Sequence, residues 1–124
     1  MNIYKTKAFQ RSFKKTALTD EILKLCCLEM EHGLIDADYG GHLYKKRVAM
    51  PGRGKSGSYR TMIGARLGDS YFFLYLFPKK AQSNIDKAEE KALKELARHF
   101  LDKTSEDLAR MVSKGLLFKL RGEE

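Results

Sequence analysis

The chain has 124 residues and a mass of 14.2 kDa, enough for one domain with a real core (residues 1–124) and too little for two ordinary ones. Hydrophobic residues make up 43% and charged residues 32%, a balance that excludes disorder, collagen and low-complexity sequence. Lys plus Arg is 24 against 16 for Asp plus Glu, a net charge of +8 that points to a polyanion or an acidic protein as partner. The longest apolar run, Tyr71 to Pro78, has the length of a strand and falls far short of the roughly 20 residues of a membrane helix. Met1 to Lys15 carries lysines but no apolar stretch, so it does not read as a secretory signal.

In chain order, Asn2 to Lys5 reads as a short strand, and Thr6 as the N-cap of a helix with Phe9 and Phe13 four apart. Thr19, followed by Asp20 and Glu21, starts a second helix. Its residues Ile22, Leu25, Cys26 and Met30 repeat at helical spacing, and Gly33 closes it. The short connection predicts an antiparallel helix pair. Cys26 and Cys27 are neighbours that point to different sides, which suits two buried thiols better than a disulfide clip or a zinc site. Such thiols fit a reducing, cytoplasmic compartment.

Asp36 to Gly41 reads as a turn-rich linker, and three strands follow: His42–Ala49, Ser58–Leu67 and Ser70–Pro78. Gly68 and Asp69 make the last two a hairpin. Phe72, Leu74 and Leu76 alternate with Tyr71, Phe73, Tyr75 and Phe77, so both sides of that strand are apolar and it belongs inside the sheet. Ser83 to Asp86 resembles a capping box before a helix whose stripe holds Ile85, Ala92, Leu93, Leu96, Ala97 and Phe100. Thr104 and Asp107 cap one more helix, ended by Gly115, and Leu116 to Leu120 forms a last strand or packed tail. The order β-α-α-β-β-β-α-α-β gives a small α+β domain with a central antiparallel sheet.

The charge is unevenly divided. Residues 1–80 hold 15 basic and 7 acidic side chains, and residues 81–124 hold 9 of each. Tyr39 to Gly68 contains seven cations (Lys45, Lys46, Arg47, Arg53, Lys55, Arg60 and Arg66) and no acid. A solubilising surface mixes its signs, so this run predicts a positive field held for a polyanion, with nucleic acid the first candidate and an acidic protein the second.

Gly54-Lys55-Ser56 superficially matches the end of a Walker loop, but the first glycine of that motif falls on Ala49 and strands follow it. A Gly-rich loop can still hold phosphate, with Arg53 and Lys55 reaching over it. Arg60 lies within a strand after an aromatic residue, which fixes its fork; the competing role is an ion pair with Asp69 or a helix carboxylate. Alternation puts Lys45 with Arg47 on one face, and Val48 places Lys46 on the buried side unless a bulge intervenes. Tyr44 and Tyr59 flank the cations as stacking platforms, whereas the other aromatics read as core.

No paired carboxylates or clustered metal ligands accompany these cations, and His32, His42 and His99 are scattered. Cations alone can act on RNA. They neutralise the scissile phosphate, stabilise its pentacoordinate transition state and protonate the leaving 5′-oxygen, with the RNA's own 2′-hydroxyl as nucleophile. DNA, lacking that hydroxyl, is then inert.

The runs Lys45-Lys46-Arg47-Val48-Ala49, Pro51-Gly52-Arg53-Gly54-Lys55-Ser56-Gly57 and Tyr59-Arg60-Thr61 resemble the core of the RelE/ParE/HigB superfamily of type II toxin–antitoxin toxins, and most the HigB-like branch. Phe72-Phe73-Leu74-Tyr75 and Phe77-Pro78-Lys79-Lys80, running on to Asn84-Ile85, fit the same pattern. The resemblance implies a RelE-like sheet with helices packed on one face and a ribosome-dependent mRNA endonuclease that needs no cofactor. It also implies a cognate antitoxin that binds DNA and autorepresses, and no membrane partner. On these positions Arg60, Lys46, Arg47, Lys55 and Lys80 are the catalytic candidates; Lys45, Arg53, Tyr59, Lys79, Arg66 and Tyr44 are the RNA-binding ones. Two departures stand out. Phe118 cannot take a proton where some relatives carry a C-terminal base, leaving Tyr59, His42 or a deprotonated lysine for that role. Lys79 and Lys80 stand where many relatives have an arginine. A ParE-like gyrase poison and a non-catalytic nucleic-acid or ribosome binder are the alternatives.

Overall fold

The computed structural model describes residues 1–50, 54–78 and 84–120. Strand β1 (Asn2–Thr6) leads into helix α1 (Lys7–Phe13), whose N-cap Thr6 accepts from the Phe9 amide at 3.1 Å. Helix α2 (Asp20–Glu31) starts at Thr19, as its sequence predicts, with Asp20 and Glu21 complementing the positive end of its dipole. It ends in a Schellman turn: Gly33, at φ +88°, lets its amide reach Met30 O and the Leu34 amide reach Glu29 O.

The sheet follows. Strands β2 (Ala37–Gly40), β3 (Leu43–Met50), β4 (Gly54–Arg66) and β5 (Ser70–Pro78) pair antiparallel in succession. Helices α3 (Lys87–Leu101) and α4 (Ser105–Ser113) come next, and β6 (Leu117–Lys119) ends the described chain. The strand order is β2-β3-β4-β5-β1-β6.

The α+β class and central sheet are as expected, and several details differ. First, β1 inserts between β5 and β6, parallel to β5 and antiparallel to β6, so the sheet is mixed. The intervening helices and strands supply the long crossover a parallel neighbour requires. Second, helices cover both faces. Ile3, Val48, Ile63, Ala65, Tyr71, Phe73 and Leu76 pack with Phe9, Phe13, Leu23, Cys26, Cys27 and Met30 from α1 and α2. Tyr4, Leu43, Met62, Phe72, Leu74 and Phe77 pack with Ala97, Phe100, Leu101 and Leu108 from α3 and α4. Third, the Asp36–Gly41 stretch contains β2, a short edge strand whose Asp and Gly content hid it in the sequence.

Helices α1 and α2 each rest on the sheet, α1 over β5 and α2 over β3, instead of pairing chiefly with each other. The capping box of α3 also sits later than expected: Asp86 and Glu89 exchange bonds with each other's backbone amides. Thr104 and Asp107 do the same for α4, as predicted. Gly64 seats α3, because a Cβ there would lie 2.7 Å from Ala97 Cβ and 3.0 Å from Ala97 Cα.

One irregularity matters for function. Met62 faces Tyr75 and Ile63 faces Phe73, so Leu74 is an extra residue in β5. The bulge resets the alternation: Leu74, Tyr75 and Phe77 all join the α3 side, while Leu76 turns to the α1 side.

Candidate functional site

Register decides which cations meet. Across β3 and β4, Arg47 stands directly opposite Arg60 and Lys45 opposite Met62. Leu43, two and four residues from these, packs under α3, so Lys45, Arg47 and Arg60 share the α3 side of the sheet. None of the three pairs with a carboxylate among the described residues. Arg60 donates from Nη1 to Ser58 Oγ at 3.3 Å, a bond along its own strand that steadies the fork; it does not close the ion pair with Asp69 or a helix carboxylate. The Arg47 backbone amide is held by the Asp36 carboxylate, which leaves the guanidinium out of that contact.

Beside these cations the bulge brings Tyr75 and Phe77. Phe77 is opposite Arg60 on β5 and buried, and its ring lies 5.3 Å from that of half-buried Tyr75. Burial, together with Glu89 and Asp86 at the start of α3, pushes the Tyr75 phenol above its ordinary value. It stays protonated at neutral pH and can donate, but it is no base. Tyr39, on β2, closes this end by donating to Asn84 Oδ1 at 2.7 Å. Sequence reasoning missed Tyr75, because a strand apolar on both sides gives no sign of where its alternation breaks.

Lys46, expected among the catalytic cations beside Arg47, instead lies on the opposite face. It is buried under α2, with Nζ 2.8 Å from Glu29 Oε1, while its carbonyl accepts from Thr61 Oγ1 at 2.9 Å. The alternation through Val48 accounts for this. Tyr44 and Tyr59 share that face and pack against the α1–α2 core, away from the arginine pair. Burial, and then Asp38, raises the Tyr44 phenol. Arg66 is on the arginine side but six residues along β4, about 20 Å away, and donates to Leu101 O at the end of α3 at 2.8 Å. That role is closing a helix.

His42 occupies the tight turn between β2 and β3 at φ +66°, five residues up β3 from Arg47 and against α3. It is at the wrong end of the strand to serve the arginines. Phe118 lies on β6 beside α1, at the far edge of the sheet. Lys55 belongs to β4, but its side chain, like Arg53, Lys79 and Lys80, lies outside the described residues. Cys26 and Cys27 are both buried thiols, and burial pushes Cys26 up to about 12, which makes it inert. Among the described residues, no group of His, Cys, Asp and Glu is placed to hold a metal ion, and no helix is long and apolar enough to cross a membrane.

The arrangement therefore offers two guanidinium forks and an ammonium, each partly exposed, side by side on the α3 side of the sheet, with a phenol donor at its margin. That set can grip and polarise a phosphodiester. No curated protein matches the chain. Residues 1–120, nearly its whole length, match the family described as the RelE toxin of the RelE/RelB toxin–antitoxin system, and together with the fold this shows that the chain belongs to that family.

Proposed function

We propose that this chain is a HigB-like toxin of a type II module, one domain that acts in the cytoplasm as a ribosome-dependent, metal-independent mRNA endonuclease. Arg47 and Arg60 hold the scissile phosphate and offset the charge of its pentacoordinate transition state, and Lys45 grips the neighbouring backbone. The RNA 2′-oxygen attacks phosphorus as its proton passes to a deprotonated lysine, the candidate base left once Tyr59 and His42 lie away from the arginine pair. The bond from phosphorus to the 5′-oxygen breaks and that oxygen is protonated, leaving a cyclic phosphate and a 5′-hydroxyl. Lys55 and Lys80 are the candidates for that proton donor, with Arg53 and Lys79 as further candidate contacts to the RNA; Tyr75 donates to phosphate oxygen. Lys46, engaged by Glu29, positions β3 and makes no RNA contact in this reading. The partner at rest is a DNA-binding antitoxin rich in acidic residues.

The observation that carries the proposal is the register pairing of Arg47 with Arg60, neither guanidinium being ion-paired to a carboxylate among the described residues. Like charges directly opposite in a sheet cost stability, and a phosphate between them turns that cost into binding. The experiment is primer extension on message from cells expressing the protein, beside Arg60→Ala. Cleavage within translated message, absent from the variant, supports the reading. Growth arrest without message cleavage, with gyrase-linked DNA breaks in its place, overturns it.

A further inference from the structure

A second cationic surface lies on the other side of the sheet. The first acid in the chain is Asp20, and before it come Lys5, Lys7, Arg11, Lys14 and Lys15. Lys5 is accounted for: it is buried, 2.9 Å from Asp20 Oδ1 and over the Phe13 ring. The other four are exposed, have no ion-pair partner among the described residues, and line a groove of about 380 Å³ together with Gln10 and Phe118. Among the described residues no carboxylate enters that lining. The helix dipole explains cations at the end of α1, where Arg11 and Lys14 lie, but not Lys7, which sits in the first turn with no acid to balance it.

We propose that this groove is a second RNA-binding surface, taking the phosphate backbone of a structured RNA along α1 and stacking one unpaired base on Phe118. It builds on the reading above, in that RNA is the polyanion at both surfaces. Four cations within the nine residues from Lys7 to Lys15 span about 12 Å at helical rise, the scale of a few backbone phosphates. The described lining of the groove holds no aliphatic anchor of the kind that makes protein interfaces tight, and lysine is depleted from such interfaces. An aromatic ring among cations is instead the usual combination for unpaired nucleotides. Gln10 Oε1 is also buried with no hydrogen-bond partner. Turned outward, it would accept from a base amino group or a 2′-hydroxyl, which a carboxylate-rich peptide side chain cannot supply. Because α1 packs on the face opposite Arg47 and Arg60, the molecule can hold message on one side and ribosomal RNA on the other.

The test uses the full chain carrying Arg47→Ala and Arg60→Ala in every arm, so that its outcome does not depend on whether that pair cleaves RNA. The probe is a labelled RNA hairpin of about 25 nucleotides with an unpaired loop, titrated over a salt series; poly-glutamate is the second probe. Replacing Lys7, Arg11, Lys14 and Lys15 with Gln should lower the slope of log affinity against log salt by about 3 and weaken binding about tenfold or more at 0.1 M salt. Phe118→Leu should cost about tenfold on the hairpin and nothing on poly-glutamate. The pairs Lys7→Gln/Arg11→Gln and Lys14→Gln/Lys15→Gln, each checked for an unchanged melting midpoint, should divide the slope change if the fourfold variant folds poorly. Unchanged RNA affinity and slope would overturn the proposal. So would equal losses on both probes with no effect of Phe118→Leu, the behaviour of a docking surface for an acidic protein.

Discussion

Two arginines facing each other across a pair of strands make a measurable claim about stability. At about 6 Å and a water-like dielectric the repulsion between unit charges is about 0.7 kcal/mol, within the range of about 0.2–1 kcal/mol for cross-strand pairs. Arg47→Gln and Arg60→Gln each keep most of the aliphatic stem and remove one charge of the pair. Either substitution should relieve the repulsion, and the second should then gain nothing further. A double-mutant cycle in urea at 10–20 mM salt should give a repulsive coupling of about 0.5 kcal/mol between them, vanishing at 1 M salt, where the screening length is about 3 Å. Arg60→Gln also loses the bond to Ser58, so its single-variant value is less clean than the coupling. A coupling of zero or of attractive sign at low salt would refute the view that the protein tolerates this repulsion for the sake of binding an anion.

Three further outcomes follow from the packing. Gly64→Ala drives a methyl group into Ala97 and should cost about 1–3 kcal/mol by urea denaturation while displacing α3; an unchanged midpoint would mean the helix is not seated there. Glu29→Gln strands the buried Lys46 ammonium and should cost about 1–3 kcal/mol, discounted because Glu29 is itself 37% exposed, whereas Lys46→Met should be near neutral. Equal losses from the two would contradict the ion-pair account. Finally, the Cys26 thiol is raised to about 12 in the folded chain against about 9 when unfolded, so its contribution is complete below pH 9 and disappears as pH rises toward 12. Cys26→Ala should flatten the alkaline loss of stability in that window, and alkylation of native Cys26 at pH 7 should be negligible; rapid labelling there would show that the thiol is neither buried nor raised.

What the sequence revealed divides by range. Caps at Thr6, Thr19 and Thr104 were legible because a hydroxyl reaching an amide three residues on is a local event. The burial of Lys46 was legible through Val48, since alternation holds within an unbroken strand. The parallel seat of β1 depends on a partner 68 residues away and leaves no local trace. The helices on the second face were equally hidden: the stripe of α3 shows that it packs, and nothing in it says on which side. Tyr75 was lost to the Leu74 bulge, which changes faces inside a run that is apolar either way. Tyr44 and Tyr59 looked available because they flank cations in sequence, but neighbours along a strand point to opposite sides. The pairing of Arg47 with Arg60, the feature most closely tied to function, required a cross-strand register that neither strand shows on its own, with an irregularity between Val48 and Met50.

The account stands most directly on the RNA supplying its own nucleophile. Message carrying a 2′-deoxy nucleotide at the cleaved position, presented on programmed ribosomes, should resist the protein completely, while the matched ribose message yields a 2′,3′-cyclic phosphate end. Cleavage of the deoxy message at a comparable rate would contradict it.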